Sequence, residues 1–224
     1  TFESVQGEFG THACPVVIPY MEGDDVKAYV NFATGKAYAY ENGKGKEIDM
    51  PSDDNMETLK DIFNEAVASA DDELMEKFFE GEEFTPEEIS MGLSKGVAEN
   101  TIIPVFACSG HMTDAVDLLL DGIVSLAPSA ADKGGEMAGE RELKCDENGP
   151  LAAICFKTVV DPFVGKMSFV KVVSGKITSD VPAYNASTGE SERMGKMISV
   201  KGDSQEDISS ITAGDIGVIT KLSG

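Results

Sequence analysis

In FKTVVDPFVGKMSFVKVVSG, residues 156–175, two β-rich runs, Ile154 to Val160 and Lys166 to Val173, flank Asp161-Pro162-Phe163-Val164-Gly165. Pro162 cannot donate to a ladder, and Gly165 tolerates backbone angles that other residues avoid. The segment between the runs therefore reads as a bend and not as continuous strand. Ser174-Gly175 is expected to close a hairpin onto Lys176 to Ser179. Further short strands are expected at Ala183 to Ala186, Arg193 to Val200 and Ile216 to Lys221, parted by Ser187-Thr188-Gly189 and Thr212-Ala213-Gly214-Asp215. That spacing predicts an antiparallel barrel.

Towards the N-terminus the pattern changes. Residues Cys14 to Met50 read as β-structure: an apolar run to Tyr20, a hairpin from Val26 to Tyr40 turning at Ala33-Thr34-Gly35, and a glycine-rich turn at Asn42 to Gly45. Helices follow Pro51. The first begins near Asp53 or Asp54, with Leu59, Ile62, Phe63, Ala66 and Val67 on one face. The second starts at Asp71 and is ended by Gly81. The third carries Thr85 as cap, Pro86 in its first turn and Glu88 placed for a capping box. An apolar strand, Ile102 to Ala107, then runs through Ser109-Gly110 into a helix from about Thr113 to Leu126, whose buried stripe is expected to be Val116, Leu119, Leu120 and Ile123. Strand, turn and helix in that order are an α/β signature. From Ala127 to Pro150 large hydrophobes are few, as in an exposed connector.

The chain has 224 residues, 42% of them hydrophobic, enough for one large or two modest domains with their own cores. No apolar run reaches the roughly 20 residues needed to cross a bilayer, and the N-terminus lacks a basic-then-apolar signal. A soluble, cytoplasmic protein without a membrane partner is the expectation. Cys14, Cys108, Cys145 and Cys155 show neither metal-ligand spacing nor a disulfide framework, and are expected to be reduced, structural thiols. The net charge of −22 argues against broad RNA binding, which needs a basic patch, so any RNA contact must be local.

Candidate chemistry is sparse. Cys108 and His111 lack an orienting third group for a thiol enzyme. His12 with Cys14 shows no further metal ligand, and both pairs read as local structure. The acidic residues Asp71, Asp72, Glu73, Glu80, Glu82 and Glu83 lack the alternating oxygen pattern and glycine of a calcium loop. Glu57, Asp61 and Glu65, at four-residue spacing, share one face of the first helix. They read either as a solvated face or as a surface for a basic partner.

DPFVGKMSFVKVVSGKI (161–177), VPAYNASTGESERMGKM (181–197) and ITAGDIGVITKL (211–222) resemble the second domain of elongation factor G. LMEKFFEGEEFTPEEI (74–89) and NTIIPVFACSG (100–110) are similar to the later part of that family's GTPase domain, whereas residues before Pro51 match loosely. The resemblance implies an α/β part, residues 1–126, formed by the end of a GTPase domain with its inserted α+β subdomain. A connector, 127–150, and an all-β translation-factor-type barrel, 151–224, short of its last strand or strands, would follow.

It further implies a fragment of a ribosomal translocation GTPase, with no catalytic residue and no cofactor of its own. GTP and magnesium would belong to the parent protein, because the phosphate-cradling loop and the Asn-Lys-x-Asp motif are absent from this sequence. Thr1 would start just downstream of that motif. Cys108-Ser109-Gly110 matches the family's Gly-Ser-Ala loop, making Ser109 and Gly110 a residual guanine contact, with Gly110 in place of alanine; an ordinary strand-to-helix turn is the competing reading. The implied partners are the ribosome's small-subunit RNA and its stalk protein, the latter meeting the inserted subdomain and hence Glu57, Asp61 and Glu65. Ribosomal-protection and release-type GTPases share this domain order. A stand-alone acidic module recruiting a basic protein is the reading from a different class.

Overall fold

The structure, a computed structural model, describes residues 1–179 and 181–222. Residues 223–224 of the expected barrel lie outside them. The chain divides into two compact units, Thr1–Pro128 and Ser129–Gly224.

Unit 1 opens with α1 (Phe2–Phe9) and a short turn of 3-10 helix. Strands β1 (Ala13–Glu22), β2 (Asp25–Asn31), β3 (Lys36–Glu41) and β4 (Lys44–Ile48) follow, then helices α2 (Asp54–Ala68), α3 (Asp72–Glu80) and α4 (Pro86–Ala98), strand β5 (Ile103–Phe106) and helix α5 (Val116–Leu126). The sheet order is β4-β3-β2-β1-β5, an antiparallel meander with β5 added parallel to β1. The helix starts sit where local chemistry puts them. Asp53 accepts from the Met56 amide, Asp71 from the Glu73 amide, and Thr85 and Glu88 form both halves of a capping box. Gly81, at φ 74°, closes α3 in the left-handed region that favours glycine. One core joins Val16, Val17 and Val30 of the sheet to Phe63, Leu74 and Leu93 of the helices. Fully burying each such side chain stabilises by about 1.5–3 kcal/mol.

Helix α5 corrects the sequence reading. It starts at Val116, not Thr113, because Thr113 and Ala115 have φ of 62° and 58° and cannot be helical. Its buried residues are Leu118 and Leu126, while Leu120 and Ile123 of the expected stripe are exposed and Val116 and Leu119 are half-buried. Gly122 explains the rotation. A Cβ there would lie 2.3 Å from the Phe106 ring, so the glycine side of the helix, not its leucine-rich side, approaches β5.

Unit 2 is all-β: β6 (Glu136–Ala138), β7 (Arg141–Leu143), β8 (Ala152–Asp161), β9 (Gly165–Ser174), β10 (Lys176–Thr178), β11 (Pro182–Asn185), β12 (Glu190–Arg193), β13 (Met197–Lys201), β14 (Ser204–Ile208), β15 (Ser210–Thr212) and β16 (Ile216–Thr220). The main sheet runs β14-β13-β16-β9-β8. Val170, Val172, Met197 and Ile219 cluster with Ile177 of β10 and Ile211 of β15, while Met167, Ile198 and Val218 form a second cluster with Phe169 and Val200.

The 161–165 bend is the hairpin turn from β8 to β9. Asp161 Oδ1 accepts from the Phe163 and Val164 amides, both at 2.8 Å, and Gly165 supplies φ 85°. Phe163 is 97% exposed, so it plugs no core.

Ser174-Gly175, by contrast, closes no hairpin. β10 pairs with β15, because Gly175 turns the chain tightly over residues 149–151: a Cβ there would sit 2.7 Å from Leu151 Cα. The expected strand Arg193 to Val200 is broken at Met194-Gly195-Lys196, where Gly195 passes under the Thr220 carbonyl. Within 127–150, expected as open connector, β6 and β7 form a hairpin with Leu143 buried.

Candidate functional site

Helix α2 buries Met56, Leu59, Phe63, Ala66 and Val67, and this fixes its opposite face towards solvent. Glu57, Asp61 and Glu65 are all exposed on it. Carboxylates four apart on one helix repel, which costs a few tenths of a kcal/mol per pair. Charge is unevenly shared between the units. Unit 1 carries 26 Asp and Glu against 7 Lys and Arg, a balance of −19, and unit 2 carries 14 against 11, a balance of −3.

Ser109 and Gly110 lie in the loop between β5 and α5. The Ser109 amide donates to the Asp114 carbonyl at 2.9 Å, and its Oγ accepts from the Met112 amide at 3.2 Å. The β3–β4 hairpin braces the loop and the first turn of α5: the Gly43 amide donates to Asp114 Oδ1 at 3.2 Å, and the Tyr40 hydroxyl donates to Asp117 Oδ1 at 2.6 Å. Burial, then the bond to Asp117, pushes the Tyr40 pKa well above the usual phenol range, so the hydroxyl stays a donor. Gly110 is exposed, and a Cβ on it would meet nothing within 4 Å, so alanine would fit there equally well.

Ser109 has committed its amide to Asp114, and the sequence offers no glycine-rich loop with lysine for phosphates. Among the described residues no three His, Cys, Asp or Glu side chains gather as a metal site.

The cysteine expectation holds for Cys14, fully buried in the unit 1 core, whose thiol burial pushes up to about 12. Cys108 and Cys155 are free too but exposed and not packed as core residues: Cys108 enters the loop above, and Cys155 sits on β8, an outer strand of its sheet. His12 Nδ1 lies 2.7 Å from the Thr101 carbonyl oxygen, a structural bond.

Sequence reasoning missed a groove of about 420 Å³ in unit 1, between the β2–β3 turn, α2 and the α3–α4 loop. Phe32, Phe63 and Phe84, from three separate elements, line it, and only their separate burial patterns foreshadow it.

Residues 150–224 match the family model for elongation factor G domain 2. This part of the chain is elongation factor G-like. The whole chain is also similar in structure to a protein from Thermus thermophilus whose crystal structure is known, with a TM-score of 0.74 and 25% identity over 99% of its length. It spans 31% of that protein. The elongation factor G-like region takes in the β8–β9 hairpin with its Asp161 and Gly165, and all of the main sheet of unit 2. A translation-factor type of second domain thus follows an α/β unit, and no helix among the described residues is long and apolar enough to cross a membrane.

Proposed function

We propose that this chain is part of an elongation factor G-like GTPase of ribosomal translocation, working in the cytoplasm. The match of residues 150–224 to elongation factor G domain 2 carries the reading. In it, unit 1 meets the stalk protein through Glu57, Asp61 and Glu65. Unit 2, near-neutral where unit 1 is strongly acidic, is the part able to approach small-subunit RNA with little repulsion. GTP and magnesium are held by residues outside this sequence, and Ser109 with Gly110 supplies one edge of the guanine contact. By itself the chain neither binds GTP tightly nor hydrolyses it.

The test is titration of a bacterial stalk protein's C-terminal domain against the parent and a Glu57→Lys/Asp61→Lys/Glu65→Lys variant. Charge complementarity raises association by about ten-fold or more at low salt and is screened beyond about 8 Å at physiological ionic strength. Binding should therefore be strongest at low salt and fall by about ten-fold in the triple variant. Equal binding by both proteins, or none by the parent at low salt, refutes the docking face. GTP turnover above that of a boiled control refutes the division of labour.

A further inference from the structure

The groove beside α2 brings aromatic and charged side chains of three elements of unit 1 together. Its floor is Phe63, 1% exposed, with the Phe32 ring 5.8 Å away between centroids, and Phe84 and Ile89 line it as half-buried walls. Its volume of about 420 Å³ exceeds that of a single large apolar side chain. The rest of the lining is polar or charged: Asp61 and Asn64 from α2, Glu82 and Glu83 from the α3–α4 loop and Thr34 from the β2–β3 turn, against Lys60. Among the described residues neither Asp61 nor Glu83 forms an ion pair, and Glu82 has Lys77 only at 4.0 Å.

A groove that offers apolar surface at Phe84 and Ile89 beside three carboxylates selects for two properties at once. A bulky side chain gains by leaving water, and flanking cations gain from the carboxylates without having to be buried. We infer that the groove binds a basic peptide segment of a partner protein that lays one or two large apolar side chains against Phe84 and Ile89, over the floor formed by Phe63, while its lysines or arginines meet Asp61, Glu82 and Glu83. An acidic or RNA ligand is disfavoured by the same carboxylates and by the −19 balance of the unit. The groove is distinct from the acidic row: it shares Asp61 with that row, but Glu57 and Glu65 do not line it.

The experiment uses the full chain and a fluorescein-labelled peptide, Gly-Lys-Lys-Leu-Phe-Lys-Lys-Gly, followed by anisotropy at low salt. One control replaces Leu-Phe by Ser-Ser, and another replaces the lysines by glutamate. The parent should bind the Leu-Phe peptide at least about ten-fold more tightly than either control. Asn64→Trp, which places an indole in the groove, and Glu82→Lys/Glu83→Lys should each weaken binding by about ten-fold, with thermal melting confirming that each variant is folded. Lys60→Glu, which removes the groove's cation, should tighten binding by about three-fold, a gain that misfolding cannot imitate. Glu57→Lys/Glu65→Lys should weaken binding of the stalk domain yet alter peptide affinity by no more than about two-fold, which separates this groove from the acidic row. Equal binding of the Leu-Phe and Ser-Ser peptides, full binding by Asn64→Trp, or no gain in Lys60→Glu would overturn the inference.

Discussion

Lys95 of α4 donates from Nζ to Asp71 Oδ2 at 2.7 Å, so the residue that caps α3 is also held by the helix that follows it. The bond to Lys95, then the Glu73 amide, holds the Asp71 carboxyl below the usual carboxylate range. A carboxyl whose folded pKa is depressed contributes stability that is fully present above its unfolded value of about 4, and loses it as pH falls through the folded value. Asp71→Asn keeps a good capping residue but discards the charge. Unit 1 of this variant should melt lower than the parent at pH 7, and the gap should close as pH falls below about 4. Helical circular dichroism followed on heating at a series of pH values reads this directly. A gap that stays constant down to about pH 2 would show that the ion pair is not its source.

At the β8–β9 turn the glycine requirement is conformational and not steric. Gly165 has φ 85°, and a Cβ there would meet nothing within 4 Å. Gly165→Val should therefore cost unit 2 about 1 kcal/mol or more, through the backbone alone. Phe163→Ser, two residues earlier and 97% exposed, should leave the melting of unit 2 within about 0.5 kcal/mol of the parent. Chemical denaturation of the two variants separates the roles. A Gly165→Val protein as stable as the parent would remove the conformational argument, and a strongly destabilised Phe163→Ser would show that the exposed ring contributes to packing.

What could be read without coordinates follows how far each signal reaches along the chain. Asp53, Asp71, Thr85 and Gly81 act on amides or angles within a few residues, so the helix ends were legible. The exposure of Glu57, Asp61 and Glu65 was legible too, from the apolar stripe on the far side of the same helix. The pairing of Lys176–Thr178 with Ser210–Thr212 was not, since it depends on a turn packed over Leu151 that no local pattern encodes. Strand β14, Ser-Gln-Glu-Asp-Ile, is polar and exposed up to the half-buried Ile208 and carries no periodicity to find. The facing of α5 was hidden because Leu120 and Ile123 look buried in the sequence, whereas Gly122 decides the approach. The groove was invisible for the same reason, since Phe32, Phe63 and Phe84 converge only once the sheet and helices have packed.

Gly195 poses the opposite case from Gly165. Its φ is ordinary, but a Cβ would lie 2.2 Å from the Thr220 carbonyl oxygen, a backbone atom that cannot swing aside. That carbonyl sits at the end of β16, next to the bonds that the Thr220 amide and hydroxyl make to the Lys196 carbonyl at 2.9 and 3.2 Å. Gly195→Ala must push β13 and β16 apart there, and overpacking of this kind costs about 1–3 kcal/mol. The variant should lower the melting temperature of unit 2 while leaving the helical transition of unit 1 unchanged. If unit 2 melts as the parent does, the close approach is not rigid.

The four thiols should differ in reactivity in an order set by burial. The thiolate is the attacking species. With its pKa pushed up to about 12 by desolvation, Cys14 is ionised in only about one molecule in ten thousand at pH 8, and its side chain is fully buried between β1 and the helices. Cys108 and Cys155 are exposed and Cys145 is half-buried. Treating the folded protein with an aromatic disulfide reagent, and locating the labels by mass spectrometry, should show Cys108 and Cys155 modified first, Cys145 more slowly, and Cys14 only as unit 1 opens. Labelling of Cys14 should accordingly accelerate with denaturant, in step with loss of the helical signal, while the rate at Cys155 changes little. Modification of Cys14 as fast as Cys155 in buffer would mean that the unit 1 core is not closed over β1 in solution.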